Sequence, residues 1–346
     1  MKILVTGGAG YIGSHACKAL ARSGFTPITY DNLCRGNRWA AKWGPLEEGD
    51  ISDESRLREV LELHEPAAVM HFAGYGYVGE SVEKPLLYYQ NNIGGSTSLL
   101  HSIIDWRPIP VVFSSTCAIY GLPEQIPIAE DHPQRPINPY GHSKLVVERM
   151  LADIGRAHQL RSMSLRYFNA AGADPEGEIG EARDPELHLI PRVLAAAREG
   201  GVVRVYGDNY DTPDGTCVRD YIHVTDLADA HVSALKYLLS GGPSCALNLA
   251  NTCGYSVFEV IKLAERVSGR RIRTETAPAR PGDPPVLIGA ADRARELLNW
   301  TPRRAVLDVQ IQDAWNWMEL VSGKRCAKGG AQRWQWKSKV GSDQFD

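Results

Sequence analysis

Short apolar runs alternate with helix-period patterns along the first two-thirds of the chain. "KILVT" (2–6), "PITYD" (27–31), "AAVMHFA" (67–73), "VVFSST" (111–116) and "SMSLRYFN" (162–169) are almost continuously apolar and read as buried strands. Between them, residues 12–23, 53–64, 86–105 and 140–158 place apolar side chains at helical spacing. In the first of these, Ile12, Ala16, Ala19 and Leu20 share one face. Strands buried on both faces and separated by helices predict a parallel sheet covered on both sides, an α/β fold of the Rossmann-type, doubly wound kind.

From about residue 173 the texture changes. "ADPEGEIGEARDPELH" (173–188), "GDNYDTPDGTCVRD" (207–220) and "RPGDPP" (280–285) are rich in Gly, Pro and Asp and read as loops over a ligand. "DYIHVTDLADAHVSALKYL" (220–238) restores a strand followed by a helix. The predicted organisation is a first domain over 1–168 with a return segment at about 220–245. A smaller mixed α/β, substrate-binding lobe takes 169–219 and 246–322. Residues 323–346 read as a polar, mobile tail in which Trp334 and Trp336 are the candidates for packing.

Composition narrows the function classes. The 346 residues, 43% hydrophobic and 23% charged, suit an ordinary globular protein with a large core. A net charge of −3 without a basic block argues against nucleic acid or a membrane surface as main partner. An anionic substrate would need local arginines. The seven cysteines (17, 34, 117, 217, 245, 253 and 326) are odd in number, scattered and free of C-x-x-C spacing. No disulfide framework and no metal site is predicted, and a reducing compartment is. "MKILVTGGAG" meets glycines after five residues, too short an apolar core for a signal peptide, and no apolar run approaches the roughly 18 residues of a spanning helix. A soluble cytoplasmic protein is expected.

The candidate chemistry starts at "VTGGAGYIG", between the first strand and the first helix. Gly8, Gly10 and Gly13 fit G-x-G-x-x-G, and Thr6-Gly7-x-x-Gly10-x-x-Gly13 fits the short-chain dehydrogenase variant. Such glycines permit a tight turn and close backbone approach, so that a pyrophosphate rests on the helix N-terminus. Asp31 ends the second strand, 18 residues after Gly13. A carboxylate there accepts from ribose hydroxyls and repels a 2′-phosphate, which favours NAD over NADP, although Arg35 and Arg38 follow closely. In "NPYGHSK" (138–144), Pro139 suits a first helical position, and Tyr140 and Lys144 fall one turn apart on one face. Thr116 would lie at the carboxyl end of the fifth strand. In an NAD site the lysine ammonium and the nicotinamide cation both favour phenolate. One charge at about 4 Å and a dielectric of about 20 contributes roughly 4 kcal/mol, enough to bring a tyrosine pKa from about 10 toward neutrality. Such a tyrosine can take a proton from an alcohol while hydride leaves to NAD.

These motifs, with "TGGAGYIGSH", "DNL", "EGDI", "HFAG", "VGESV", "YYQNN", "SSTCAIYG", "LRYFNAAGA", "DGTCVRDYIHVTDLADAH" and "RPGD", run from residue 1 to about 320. The chain resembles the UDP-glucose (UDP-galactose) 4-epimerases of the extended short-chain dehydrogenase/reductase family. "WAAKWGPLEEGDI" resembles a bacterial branch linked to exopolysaccharide sugar supply. The resemblance implies a homodimer, formed through helices near 88–105 and 140–158. It implies Thr116, Tyr140 and Lys144 as catalytic residues. Around NAD it implies Gly7, Gly10, Tyr11, Ile12, Gly13, Asp31, Asn32, Asp50, Ile51, Phe72, Ala73, Gly74, Asn91, Ser114 and Phe168, together with Tyr140 and Lys144. For the UDP-sugar it implies Thr116, Asn169, His188, Leu189, Tyr206, Arg219, Arg280, Asp283 and Leu287. Arg219 and Arg280 suit a diphosphate and Asp283 ribose hydroxyls.

Three positions depart from the family pattern: Gly76 stands where a lysine is common, His188 where asparagine is, and Leu287 where a tyrosine or a small residue is. The reaction implied is oxidation and re-reduction at C4 through a 4-keto sugar. A 4,6-dehydratase needs an Asp-Glu pair after the strand-five threonine, and Cys117-Ala118 stand there instead. A non-catalytic NAD-binding regulator tends to lose the tyrosine or the lysine, and both are kept. A UDP-xylose/UDP-arabinose or a UDP-N-acetylglucosamine 4-epimerase remains open.

Overall fold

The structure, a computed structural model, describes residues 1–280 and 283–327, with the backbone alone for 323–327. Its strands are β1 (Lys2–Thr6), β2 (Thr26–Asp31), β3 (Leu46–Glu48), β4 (Ala68–His71), β5 (Val111–Ser114), β6 (Ser162–Tyr167), β7 (Asn169–Ala171), β8 (Val202–Tyr206), β9 (Val218–His223), β10 (Cys245–Leu249), β11 (Gly254–Ser256), β12 (Arg273–Ala277) and β13 (Val286–Leu287). The helices are α1 (Tyr11–Arg22), α2 (Glu54–His64), α3 (Val78–Glu83), α4 (Pro85–Tyr88), α5 (Gly95–Trp106), α6 (Pro139–His158), α7 (Leu189–Glu199), α8 (Val224–Leu239), α9 (Val257–Ser268), α10 (Asp292–Leu298) and α11 (Leu307–Ala327).

Seven parallel strands form the main sheet in the order β10-β6-β5-β4-β1-β2-β3. The apolar runs alternate between two helical layers, as a pleated strand requires. Ile3, Val5, Met70 and Val112 pack with Leu20, Leu227 and Leu235 of α1 and α8. Leu4, Val69, Val111 and Phe113 pack with Leu57, Leu99, Ile103, Val147 and Leu151 of α2, α5 and α6. This is the doubly wound fold that the pattern predicts. The direction of strand succession reverses between β1 and β4, and the crevice there is where such sheets bind ligands.

The second lobe has a small sheet in the order β11-β9-β13, with β7 also on β9, and a two-stranded β12-β8 ladder. Its core joins Val193 and Leu194 of α7, Val260 and Ile261 of α9, and Leu307 and Ile311 of α11. Here the structure moves two boundaries. "CALNL", placed in the lobe from residue 246, is the edge strand β10 of the main sheet, in register with β6 from Met163↔Cys245 onward. Residues 220–223, read as the start of the return segment, lie in β9 of the lobe sheet. The return is made by α8, which crosses the α1 side of the sheet and delivers the next parallel strand, β10. The expected tail begins inside α11; its remainder, with Trp334 and Trp336, lies outside the described residues. Among the described residues no helix is long and apolar enough to cross a membrane.

Candidate active site

The glycine turn between β1 and α1 is closed to larger residues. Gly7 has φ +70°, and a Cβ there would lie 2.6 Å from the Ala73 nitrogen; on Gly13 it would lie 2.2 Å from the Gly7 oxygen. The Gly10 N–H donates to that oxygen at 3.1 Å. Helix α1 opens with no side-chain cap and no acidic residue in its first turn, so its leading amides, from Tyr11, Ile12 and Gly13, form an anion cradle. The Asp31 carboxylate accepts from the Ala9 N–H at 3.0 Å and the Leu33 N–H at 2.8 Å. Burial raises its pKa against those two hydrogen bonds. Arg35 and Arg38 are engaged elsewhere, by Glu80 and Glu48, so Asp31 sets the charge for the ribose. The donor set fits a dinucleotide without a 2′-phosphate.

The other predicted cofactor residues follow the carboxyl ends of the neighbouring strands. Asp50 accepts from Asn32 Nδ2 at 2.6 Å. Ile51 is buried against Gly95 of α5. Phe72 packs against His231 with the rings tilted and their centroids 4.7 Å apart, Ala73 backs Gly7, and Gly74 faces Asn92 and Lys144. Phe168 is buried against Gly289.

Helix α6 brings the proposed proton-transfer groups together. Asn138 caps it, accepting from the Gly141 N–H at 2.8 Å, and Pro139 opens it. Lys144 Nζ donates to the Ser114 carbonyl at 2.9 Å and stands 4.8 Å from the Phe113 ring centre. Burial lowers its pKa to about 8, with Glu148, one turn further on, pulling the other way. The Ser114 and Tyr167 hydroxyls are 2.5 Å apart. Thr116 Oγ1 accepts from the Ala118 N–H at 3.1 Å, and Thr116 is among the groups that pull the Tyr140 pKa down. The Tyr140 ring meets Tyr88 edge to face at 6.5 Å.

The lowered tyrosine pKa expected from the sequence belongs to the site with NAD bound. In the protein alone the Tyr140 pKa stands well above the usual tyrosine value, raised first by burial and next by Tyr167, while Thr116 and Arg183 oppose. Burial outweighs the favourable partners, and the Lys144 ammonium is directed at Ser114.

Apart from Asn91, expected at the cofactor, several residues around the site have roles that only the fold reveals. A π turn over Tyr89–Gly94 precedes α5. In it Asn91 donates to Asn92, and Asn92 holds the wall: its Nδ2 donates to Ser143 Oγ and the Tyr75 carbonyl, both at 3.0 Å, and its Oδ1 accepts from the Tyr75 N–H at 2.8 Å. His71 bridges Thr6 and Ser96 at 2.7 and 2.9 Å. Burial, then Lys144, drop its pKa to about 3, so it is neutral. Beneath α6, Glu148 and Arg166 form a buried ion pair at 2.6 Å.

On the lobe side, Arg219 lies in β9 and its guanidinium holds Asp283 at 2.5 Å. Leu287 of β13 is in register with Arg219. The two charges read separately as diphosphate and ribose ligands thus hold each other. The Arg280 guanidinium stacks 4.1 Å from the Tyr206 ring centre. Asn169 opens β7, exposed, in register with Tyr221. His188 precedes α7, whose first residue is Leu189, and its Nδ1 is 2.6 Å from Glu181 Oε1.

The chain matches the model of the NAD dependent epimerase/dehydratase family over residues 3–250. It is 51% identical over 318 residues to a UDP-glucose 4-epimerase of Rhizobium leguminosarum bv. trifolii, a match that covers 91% of this chain and 96% of the relative. The crystal structure of UDP-glucose 4-epimerase from Brucella ovis in complex with NAD is similar with a TM-score of 0.89 at 50% identity, covering 91% of this chain and 97% of that one. The UDP-glucose 4-epimerase from Bifidobacterium longum in complex with NAD+ and UDP matches with a TM-score of 0.89 at 37% identity, covering 92% and 98%. With its glycine cradle, its Asp31 and its near-complete match to these proteins, the chain belongs to the NAD-dependent epimerase/dehydratase family.

Proposed function

We propose that this chain interconverts UDP-glucose and UDP-galactose by inverting C4, acting as a cytoplasmic homodimer. The observation that supports this best is the joining of Tyr140, Thr116 and Lys144 at the end of β5, in a crevice whose other wall is the uncapped α1 and Asp31.

Bound NAD supplies the acceptor and donor of hydride at C4. The chain supplies the rest. Tyr140 takes the C4 hydroxyl proton and later returns it. Thr116 hydrogen-bonds the same oxygen and keeps it in line with Tyr140. Lys144, fixed on Ser114, holds the cofactor ribose. Arg219 and Arg280 grip the diphosphate, with Asp283, Tyr206, Asn169, His188 and Leu189 around the nucleotide and sugar. The UDP stays anchored while the 4-keto sugar turns about its phosphate link and presents its other face. A single tyrosine then serves both directions.

Exposed Val82 and Leu86, 62% and 71% accessible, lie on α3 and α4, which pack on α6, and support a dimer surface there.

The test is to incubate the purified protein with UDP-galactose. UDP-glucose should form with no net NADH. Accumulating NADH, or turnover that consumes NAD, would overturn the proposal.

A further inference from the structure

The loop that follows β2 has no part in the mechanism above, yet it is held firmly beside the glycine turn. At one end the Leu33 N–H donates to Asp31 Oδ1 at 2.8 Å; at the other the Asn37 N–H donates to the Ala9 carbonyl at 2.9 Å. Gly36 is pressed on Asp31 so closely that a Cβ there would lie 2.8 Å from Oδ1. Between these anchors Arg35 reaches the segment that follows β4. Its Nη2 donates to both oxygens of Glu80, at 2.8 and 2.9 Å. The guanidinium also lies 5.0 Å from the Tyr75 ring centre and 5.7 Å from that of Tyr77.

The receiving side is rigid. Glu80 Oε2 accepts from the Tyr88 hydroxyl at 3.0 Å, and that hydroxyl accepts from the Tyr77 N–H at 3.0 Å. Tyr88 is fully buried, and Asn92 holds both the N–H and the carbonyl of Tyr75. The Glu80 side chain is only 16% exposed, and that of Arg35 38%. Two free surface side chains would have to be ordered to meet and would gain little from it. Here the carboxylate and both aromatic faces are already in place.

The sheet order gives the pair its meaning. β2 and β4 are the two neighbours of β1, so the glycine turn leaves the sheet between them. A dinucleotide with its ribose at Asp31, beyond β2, and its pyrophosphate on the amides of α1 must pass the end of β1 and continue by β4 to reach Lys144. The bond from Arg35 to Glu80 joins the loop beyond β2 to the helix beyond β4, across that path.

We infer that Arg35 and Glu80 form a clasp over the dinucleotide crevice and set how long NAD stays bound. The clasp rests on NAD lying in the glycine cradle and on no assignment of base or sugar. It forms and breaks no covalent bond.

The experiment measures the rate at which the purified, NAD-containing protein releases NAD, trapped by an NAD-hydrolysing enzyme in excess. Wild type is compared with Arg35→Gln, Glu80→Gln and the double variant. Each single change should speed release by about fivefold or more. The double variant should release no faster than the quicker single variant, because the two residues act as one unit. Unchanged release in both single variants, or effects that multiply in the double variant, would overturn the proposal. If Glu80→Gln does not fold, wild type and the exposed-site variant Arg35→Gln decide it through salt. Raising ionic strength from about 0.05 M to about 0.5 M should speed release from wild type more than from Arg35→Gln; an equal salt effect on both would overturn the clasp. A wild type that purifies free of NAD is a separate outcome, which removes the tightly held cofactor itself.

Discussion

The Lys144 ammonium donates to the Ser114 carbonyl across 2.9 Å, tying α6 to the last residue of β5. This bond sets the geometry of the site. Thr116 lies two residues beyond Ser114, and Tyr140 lies one helical turn before Lys144. Joining Ser114 to Lys144 therefore fixes the strand-end hydroxyl relative to the phenol. The lysine is as much a clamp as a charge.

Replacing Tyr140 with phenylalanine keeps the ring that packs against Tyr88 and removes the hydroxyl. Turnover of UDP-galactose should fall by about 10² or more, while the thermal midpoint and NAD content stay near those of wild type. Turnover within tenfold of wild type would sink the assignment of Tyr140 as base.

Lys144 makes a stability prediction with a definite sign. Burial lowers its pKa to about 8, from about 10.5 in the unfolded chain. Between those values the unfolded chain binds more protons, so folding stability gains with rising pH from this group. At neutral pH the buried charge is a cost on the order of 3 kcal/mol. Lys144→Met should thus gain stability over wild type near pH 7, and the gap should close toward pH 10. Denaturant unfolding of samples matched for NAD content measures it. A gap independent of pH would contradict the buried-ammonium picture.

Gly7 adopts φ +70° with its Cβ direction filled by the Ala73 backbone. Gly7→Ala should cost about 1–2 kcal/mol for the left-handed conformation alone, more from the clash, and should strip NAD from the purified protein. Retained NAD at unchanged stability would show that the cradle does not need this turn.

The parallel sheet was legible because a strand buried on both faces has little choice of residue, and "KILVT" or "AAVMHFA" records that directly. β10 was not, since "CALNL" at the sheet edge is short and holds a buried polar residue, Asn248, that hydrogen-bonds Tyr120. The cofactor side could be read from Gly7, Gly13 and Asp31, where backbone geometry and charge restrict the residue type. Asn92 and Glu148 escaped notice because their roles depend on partners far along the chain: Ser143 and Arg166. Likewise the pKa of Tyr140 depends on burial, which a Tyr-x-x-x-Lys spacing does not encode.

Leu86 on α4 tests the proposed dimer. It is 71% accessible on a surface formed by α3 and α4. Leu86→Glu should shift the protein toward monomer in sedimentation at micromolar concentration without loss of folded structure. A wild type that is itself monomeric there would refute the dimer.

Leu287 bears on which sugar is preferred. In β13 it is in register with Arg219, half-buried, with its inner side packed on the core cluster that includes Phe168 and Ala250. It therefore joins the core to the strand that carries Arg219, and the family resemblance puts it beside the C2 substituent of the sugar. A tyrosine there would fill the space an N-acetyl group needs, whereas a small residue would leave that space open. Leucine is intermediate, so UDP-N-acetylglucosamine should be turned over more slowly than UDP-glucose. Apolar size differences of this kind discriminate by about 1–3 kcal/mol, roughly 10–200-fold in kcat/KM. Leu287→Tyr should abolish the acetylated activity and spare UDP-glucose. Because Leu287 also contacts the core, the ratio of the two activities is the informative quantity. A change that lowers both equally reports damage to β13, and an unchanged ratio means that this position does not gate the pocket.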